Sequence, residues 1–351
     1  MEKFICVRVV QGNGLDLSLF QFDYDLTFAA FLFNADRTLY ARYGTRSDFK
    51  QAERDISLES FGLALAGALE LHKNYPANKA TPAGKQALPS PRFKTPEEFP
   101  SLSGRFQSKV DFEGKVVQSC IHCHQVREAE RKVARTAGQP LTDAQLYPWP
   151  MPDAVGLALD PKEKAKVARV AVNSSAAKDG FKAGDEIIAL AGQPMLSIAD
   201  VQWVLHTAPE PWKISAEVSR AGKKQSLTLT LAPGWRRGSD IGWRPSSWDL
   251  RRSAFGGIKM DDLSDADRKT RGLGTTELAL HFKHVGEYGD HALAKKAGFK
   301  KEDVLVAVDG QTKRMTESDL FAVMLAKPAG SKVPATVLRG GERLNLELPT
   351  Q

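Results

Sequence analysis

The chain has 351 residues, long enough for two or three domains. It is 42% hydrophobic and 26% charged, with a formal net charge of +7. No apolar run reaches the ~18–20 residues that a membrane-spanning helix needs. Lys and Arg are interleaved with Asp and Glu, and no basic stripe carries the aromatics of a nucleic-acid surface. Three cysteines, Cys6, Cys120 and Cys123, are too few for a disulfide framework.

The N-terminus, "MEKFICVRVV", has no n-region, apolar h-region and small-residue cleavage site. It reads at once as a strand, and the expectation is that the chain as given lacks its true beginning. Residues 1–75 read as a small α/β unit: a strand at "KFICVRVV", a buried strand at "LTFAAFLFN", a turn at "ADR", a returning strand at "TLYARYG", and a helix opened by Ser57. Residues 76–105 are rich in Pro, Ala, Lys and Ser without sustained periodicity, and read as a linker.

Residues 106–153 hold C-x-x-C-H, Cys120, Cys123 and His124, on an expected helix from Val116 to Gly138, followed by a rigid "YPWPMPD". Several chemistries use this spacing. In the haem reading, favoured here, the two sulfurs form thioethers to a c-type haem, His124 is the proximal iron ligand, and Met151 is the candidate sixth ligand. A redox dithiol needs the pair at a helix start, and a motif lying within the helix weakens that reading. Zinc would need a second ligand pair, because one C-x-x-C is half a tetrahedral site. Two inert reduced cysteines are the remaining reading.

Further along, an internal repeat appears. "DGFKAGDEIIALAGQ" (179–193) recurs as "AGFKKEDVLVAVDGQ" (297–311), a constant offset of 118, and "SRAGKKQSLTLTLAP" is matched by "LRGGERLNLELP". Each copy reads as a small β-rich module closed by a hairpin, with a helix at "SIADVQWVLHTA" or "TESDLFAVMLAKP". Between them, residues 234–274 read as a packed Trp/Arg-rich connector. Met195 and Met324 read as core. No G-x-S-x-G context or protease-sized upstream domain appears.

Residues 154–233, with "VGLALD" and the repeat motif, resemble a PDZ domain of the bacterial HtrA-like type. The resemblance implies a groove that takes a peptide or protein C-terminus by strand addition, formed by Val155, Gly156, Leu157, Ala158 and Leu159 against the helix from Ala199 to His206, with His206 at the rim. The second copy, residues 275–351, matches in its back half. Its "TTELALHF" lacks the Gly–apolar pattern, so a structural role is expected. Residues 1–75 resemble the C-terminal half of a thioredoxin fold without its redox helix; Asp25, Leu26 and Thr27 stand where the cis-proline is expected, and Cys6 is no equivalent of a redox cysteine. The whole order resembles a Trx7/PDZ-domain family of planctomycete-like bacteria, some of whose members carry selenocysteine. The expectation is thus an α+β multidomain, extracytoplasmic (periplasmic) redox protein. Its c-type haem would exchange electrons with a redox partner protein, and its first PDZ module would recruit a peptide. The alternatives are a non-enzymatic PDZ scaffold and, should the full gene supply the redox helix, a thiol–disulfide oxidoreductase.

Overall fold

The computed structural model describes residues 2–48, 52–89 and 91–351. The chain divides into two compact units: residues 1–133 with 148–238, and residues 134–147 with 239–351.

In the first unit a hairpin pairs β1 (Ala30–Phe33) with β2 (Leu39–Tyr43). It packs on α1 (Leu58–Lys73), whose N-cap Ser57 accepts the Ser60 amide. The expected first strand does not form. Ile5 and Val7 are exposed, and residues 5–10 have no strand partner to cover them. The expected helix around the cysteines is broken: one turn (Val116–Ser119) ends at Cys120, and α2 (Cys123–Thr136) starts afresh at Cys123.

The first module follows. β3 (Leu157–Leu159) pairs with β4 (Val167–Val170). A four-stranded sheet runs in the order β6 (Gln193–Pro194), β5 (Glu186–Leu190), β7 (Trp212–Arg220), β8 (Lys223–Leu231). The β7–β8 turn places Ala221 and Gly222 both at positive φ, the geometry of a tight two-residue hairpin. Between β6 and β7 lies α3 (Ile198–Thr207), capped by Ser197. Val155, Leu157, Ile187, Val201, Val204, Leu205 and Leu229 share one apolar cluster.

The segment expected to be a linker is packed. Phe99 and Leu102 are buried in a cluster with Leu15, Leu17 and Tyr24. Lys85 is wholly buried, and its Nζ lies 2.5 Å from an Asp200 carboxylate oxygen on α3. The same carboxylate accepts the amides of Arg42 and Leu196, both at 3.1 Å. Trp203 donates to Gly84 O at 2.8 Å, and the Arg42 guanidinium stacks 3.7 Å above the Trp203 ring. Composition missed this because the anchors are one lysine, a backbone carbonyl and isolated apolar residues such as Phe99 and Leu102 rather than an apolar run.

In the second unit α4 (Ser247–Phe255) leads into a five-stranded sheet, ordered β13 (Glu342–Pro349), β12 (Lys332–Arg339), β11 (Val304–Val308), β10 (Leu280–Val285), β9 (Ile258–Asp262). α5 (Glu317–Leu325) crosses its apolar face. The expected connector 234–274 therefore contains α4 and the first strand of the second module. The duplication extends to side chains: Asp185 takes a bidentate Arg220, which also donates to Gly180 O, and Asp303 takes Arg339, which donates to Gly298 O.

Replacing Lys85 with Met should leave the Asp200 charge buried without its partner. We expect a loss of about 3–5 kcal/mol, read as a lower urea midpoint with an unchanged slope.

Candidate peptide-binding site and the C-x-x-C-H segment

The first candidate site is built on a left-handed glycine. Gly156 sits at φ +90 at the end of a 3₁₀ turn (Pro152–Val155). A Cβ there would lie 2.1 Å from the Ser174 side chain. This loop feeds β3, whose Leu157 faces Val170 in the ladder, and Ala171 donates its amide back to Gly156 O at 2.8 Å. The other edge of β3 has no paired strand among the described residues. Leu157 is buried, while Ala158 and Leu159 are half-buried. Val155 is buried in the module's core and so anchors the loop from inside.

His206 is not at a groove rim. Its ring stacks on Trp149 at 4.7 Å, and Trp149 and Trp203 are themselves buried. Gln202, one turn earlier, donates to Trp149 O at 2.9 Å, and the Thr45 hydroxyl lies 2.6 Å from its Oε1. The outer side of α3 is thus covered by the chain's own residues, and β3 keeps one edge without a paired strand among the described residues.

The second module repeats the loop where the sequence reading did not look. Gly256 and Gly257, at φ +59 and +96, precede Ile258; Ile258 faces Val285, and Gly286 donates to Gly257 O at 3.0 Å. The second module's loop is therefore "GGI", which carries a Gly–apolar pattern, rather than "TTELALHF", which lacks one; the seventeen-residue stretch 263–279 between β9 and β10 hid the correspondence. This edge is occupied. The Met260 amide donates to Glu317 Oε1 at 2.8 Å, and Arg251 from α4 grips the same carboxylate at 3.0 and 2.6 Å. Phe255 stacks on Phe321 at 4.8 Å. Burial raises the Glu317 pKa, opposed by the hydrogen bond and charge of Arg251. Aligned on their N-caps, Ser197 and Thr316, the two helices place Ile198 in the first module where Glu317 stands here, so that position offers β3 no carboxylate.

The C-x-x-C-H residues lie elsewhere in the first unit. Cys123 packs against a cluster that includes Ile121, Val126 and Phe106, and burial pushes its thiol pKa up. His124 Nδ1 lies 2.8 Å from Glu128 Oε1, and this hydrogen bond raises its pKa. Met151, the expected sixth ligand, has its sulfur 3.1 Å from the Thr45 hydroxyl, beside α3. A small cavity is lined by Phe22, Arg42, Trp149 and Gln202. Cys123 is packed inward, His124 is paired with Glu128, and the Met151 sulfur lies against Thr45, so the groups expected to hold a haem are each engaged with protein partners. Among the described residues no group of three or more His, Cys, Asp or Glu side chains could hold a metal ion.

A PDZ-domain family model matches residues 140–231. The chain contains a PDZ domain. The chain is also similar to the periplasmic serine endoprotease DegP of Escherichia coli K12, 28% identical over 193 residues, which is 55% of this chain and 36% of that protein. A probable DegP-like periplasmic serine endoprotease of Pseudomonas fluorescens is 29% identical over 189 residues, covering 54% of this chain and 38% of the relative. The chain thus spans well under half the length of these curated relatives. Among solved structures, the HtrA3 PDZ domain bound to a phage-derived ligand aligns with 28% of this chain and 84% of its own, at 18% identity and a TM-score of 0.22. The HtrA-type protease AlgW with a decapeptide aligns with 39% of this chain and 48% of its own, at 19% identity and a TM-score of 0.23. No helix among the described residues is long and apolar enough to cross a membrane.

Arg251→Met should uncover a buried carboxylate at the β9 edge and cost about 3–5 kcal/mol in thermal or urea unfolding. For His124, the raised pKa means that its contribution to stability is full below the ordinary histidine value of about 6.5 and is lost as pH rises through its folded value. The pair is about one-third exposed, so the gain should be only a few tenths of a kcal/mol. NMR titration of the ring should give a midpoint above 6.5, and Glu128→Gln should lower it.

Proposed function

We propose that this chain is a non-enzymatic, extracytoplasmic adaptor that captures a peptide or protein C-terminus on its first PDZ domain. The observation that carries this reading is the open edge of β3 beside the left-handed Gly156 loop. An incoming strand takes the unpaired β3 edge, and the Leu157 amide, which faces away from β4, meets its terminal carboxylate; the Gly156 amide is already bonded to Asp153 O. An alternating side chain packs where Leu159 is half-buried. The second module, with Glu317 already on its strand edge, serves as structural support and offers no second groove of this kind. The periplasmic relatives support a location outside the cytoplasm, and the PDZ family match supports the ligand class.

Fluorescence polarisation with apolar C-terminal peptides tests this on the full chain. One peptide should bind per chain, and replacing its carboxylate with an amide should weaken binding about tenfold or more, since a charge-assisted contact is lost. Gly156→Ala puts a Cβ into Ser174 and should weaken binding at least as much, with a stability loss of about 1–3 kcal/mol. Equal binding of acid and amide, or no binding across a set of apolar C-termini, would overturn the proposal.

A further inference from the structure

We propose that Cys120 and Cys123 form a reversible dithiol–disulfide site, in which Cys120 meets a small-molecule or peptide disulfide and Cys123 closes the ring. The sequence placed the motif inside a helix; the structure places it at a helix start. Cys120 is extended, with φ −84 and ψ 125, and Cys123 is the first residue of the fourteen-residue α2. The intervening turn is held at every backbone group the structure describes there. The His122 amide donates to Gln125 Oε1 at 2.9 Å, the reach-back of a helix cap. The Ile121 amide donates to Asn13 Oδ1 at 2.8 Å, and Gly12 donates its amide to Ile121 O at 3.2 Å. Asn13 Nδ2 in turn donates to Ser119 O at 2.9 Å and Gln107 O at 2.7 Å. Gly12 approaches so closely that a Cβ would lie 2.6 Å from Ile121 O.

Such a clamp fixes two sulfurs three residues apart at one end of a helix, where a disulfide's Cα spacing of about 4.4–6.8 Å is within reach. It also distinguishes them. Cys123 is packed against an apolar cluster, and both burial and the neighbouring Cys120 charge disfavour its thiolate. Both cysteines are half-buried, but Cys120 lies outside that cluster.

The exchange balances with a disulfide such as oxidised glutathione as the co-reactant. The Cys120 thiolate attacks one glutathione sulfur; the S–S bond breaks, and one glutathione leaves with the electron pair and takes up a proton. Cys123, losing its proton to solvent, attacks the Cys120 sulfur and expels the second glutathione, which is protonated in turn. Two protein thiols are oxidised by two electrons, and one disulfide is reduced to two thiols.

The test uses the full native chain, equilibrated in graded ratios of reduced to oxidised glutathione, acid-quenched and alkylated with a maleimide before intact-mass measurement. The reduced chain should take three adducts. The oxidised chain should take one, on Cys6, with the mass loss of two hydrogens. Cys123→Ser should stop at a stable mixed disulfide on Cys120, and Cys120→Ser should react about tenfold more slowly or not at all. Three adducts persisting at every ratio would overturn the proposal. So would glutathione adducts on the unmutated chain that never close, or a chain exported beside a haem-attachment system that arrives with both sulfurs bonded to a porphyrin.

Discussion

Asp200 lies wholly inside the first unit, and a carboxylate is tolerated there only where its charge and lone pairs are met. Lys85 meets the charge, and the amides of Arg42 and Leu196 meet the lone pairs. These partners come from the Pro-rich segment, the N-terminal hairpin and the module itself. One buried group therefore requires three stretches of chain, distant in sequence, to be in place together. The consequence spreads along α3. With Asp200 fixed, Trp203 turns toward Gly84, Arg42 stacks over its ring, and the next helix face is closed by Trp149 on His206. A helix that could present one side to solvent is instead buried over its first eight residues. The N-terminal region and the PDZ domain of this unit share a single packing arrangement.

The two modules show how one scaffold yields an open edge and a closed one. Both have a glycine at positive φ before the first strand, the same amide returning to that glycine's carbonyl, and the same bidentate Asp–Arg pair. They diverge at the first residue of the helix, Ile198 against Glu317. A carboxylate at that site takes the strand amide that a peptide carbonyl would otherwise accept from, and it is worth burying only because Arg251 arrives on α4. Arg251 is fixed in turn by Ser247 Oγ and Gly242 O. The closure of the second edge is thus a property of the segment preceding the module, while the retained loop belongs to the module.

Much of this was legible in the sequence. The repeat, the helix capped by Ser57, the β7–β8 hairpin and the Gly156 loop are local patterns, and local patterns survive translation into structure. What was not legible depended on partners far along the chain. "KFICVRVV" alternates like a strand but has nothing to pair with. Residues 76–105 are polar enough for a linker yet contribute Lys85 and the Gly84 carbonyl to a buried network. His206 belongs to an apolar helix, and only the position of Trp149 decides that it is covered. The second Gly–apolar loop was visible as "GGI" but lay outside the offset that defined the repeat, because the stretch between β9 and β10 is longer than that between β3 and β4.

The same distinction governs the C-x-x-C-H residues. Spacing is shared by thioether attachment, metal ligation and disulfide exchange, so spacing alone cannot select among them. The environment can. Here His124 is paired with a carboxylate, and Cys123 packs on its own apolar cluster. A disulfide needs only that two sulfurs be kept near one another and that one of them be reachable. Asn13 and Gly12 grip the Ile121 backbone between the cysteines, and Cys120 is half-exposed, which are the observations the proposed exchange rests on. The residues that favour one chemistry over another lie more than a hundred positions upstream of the motif itself.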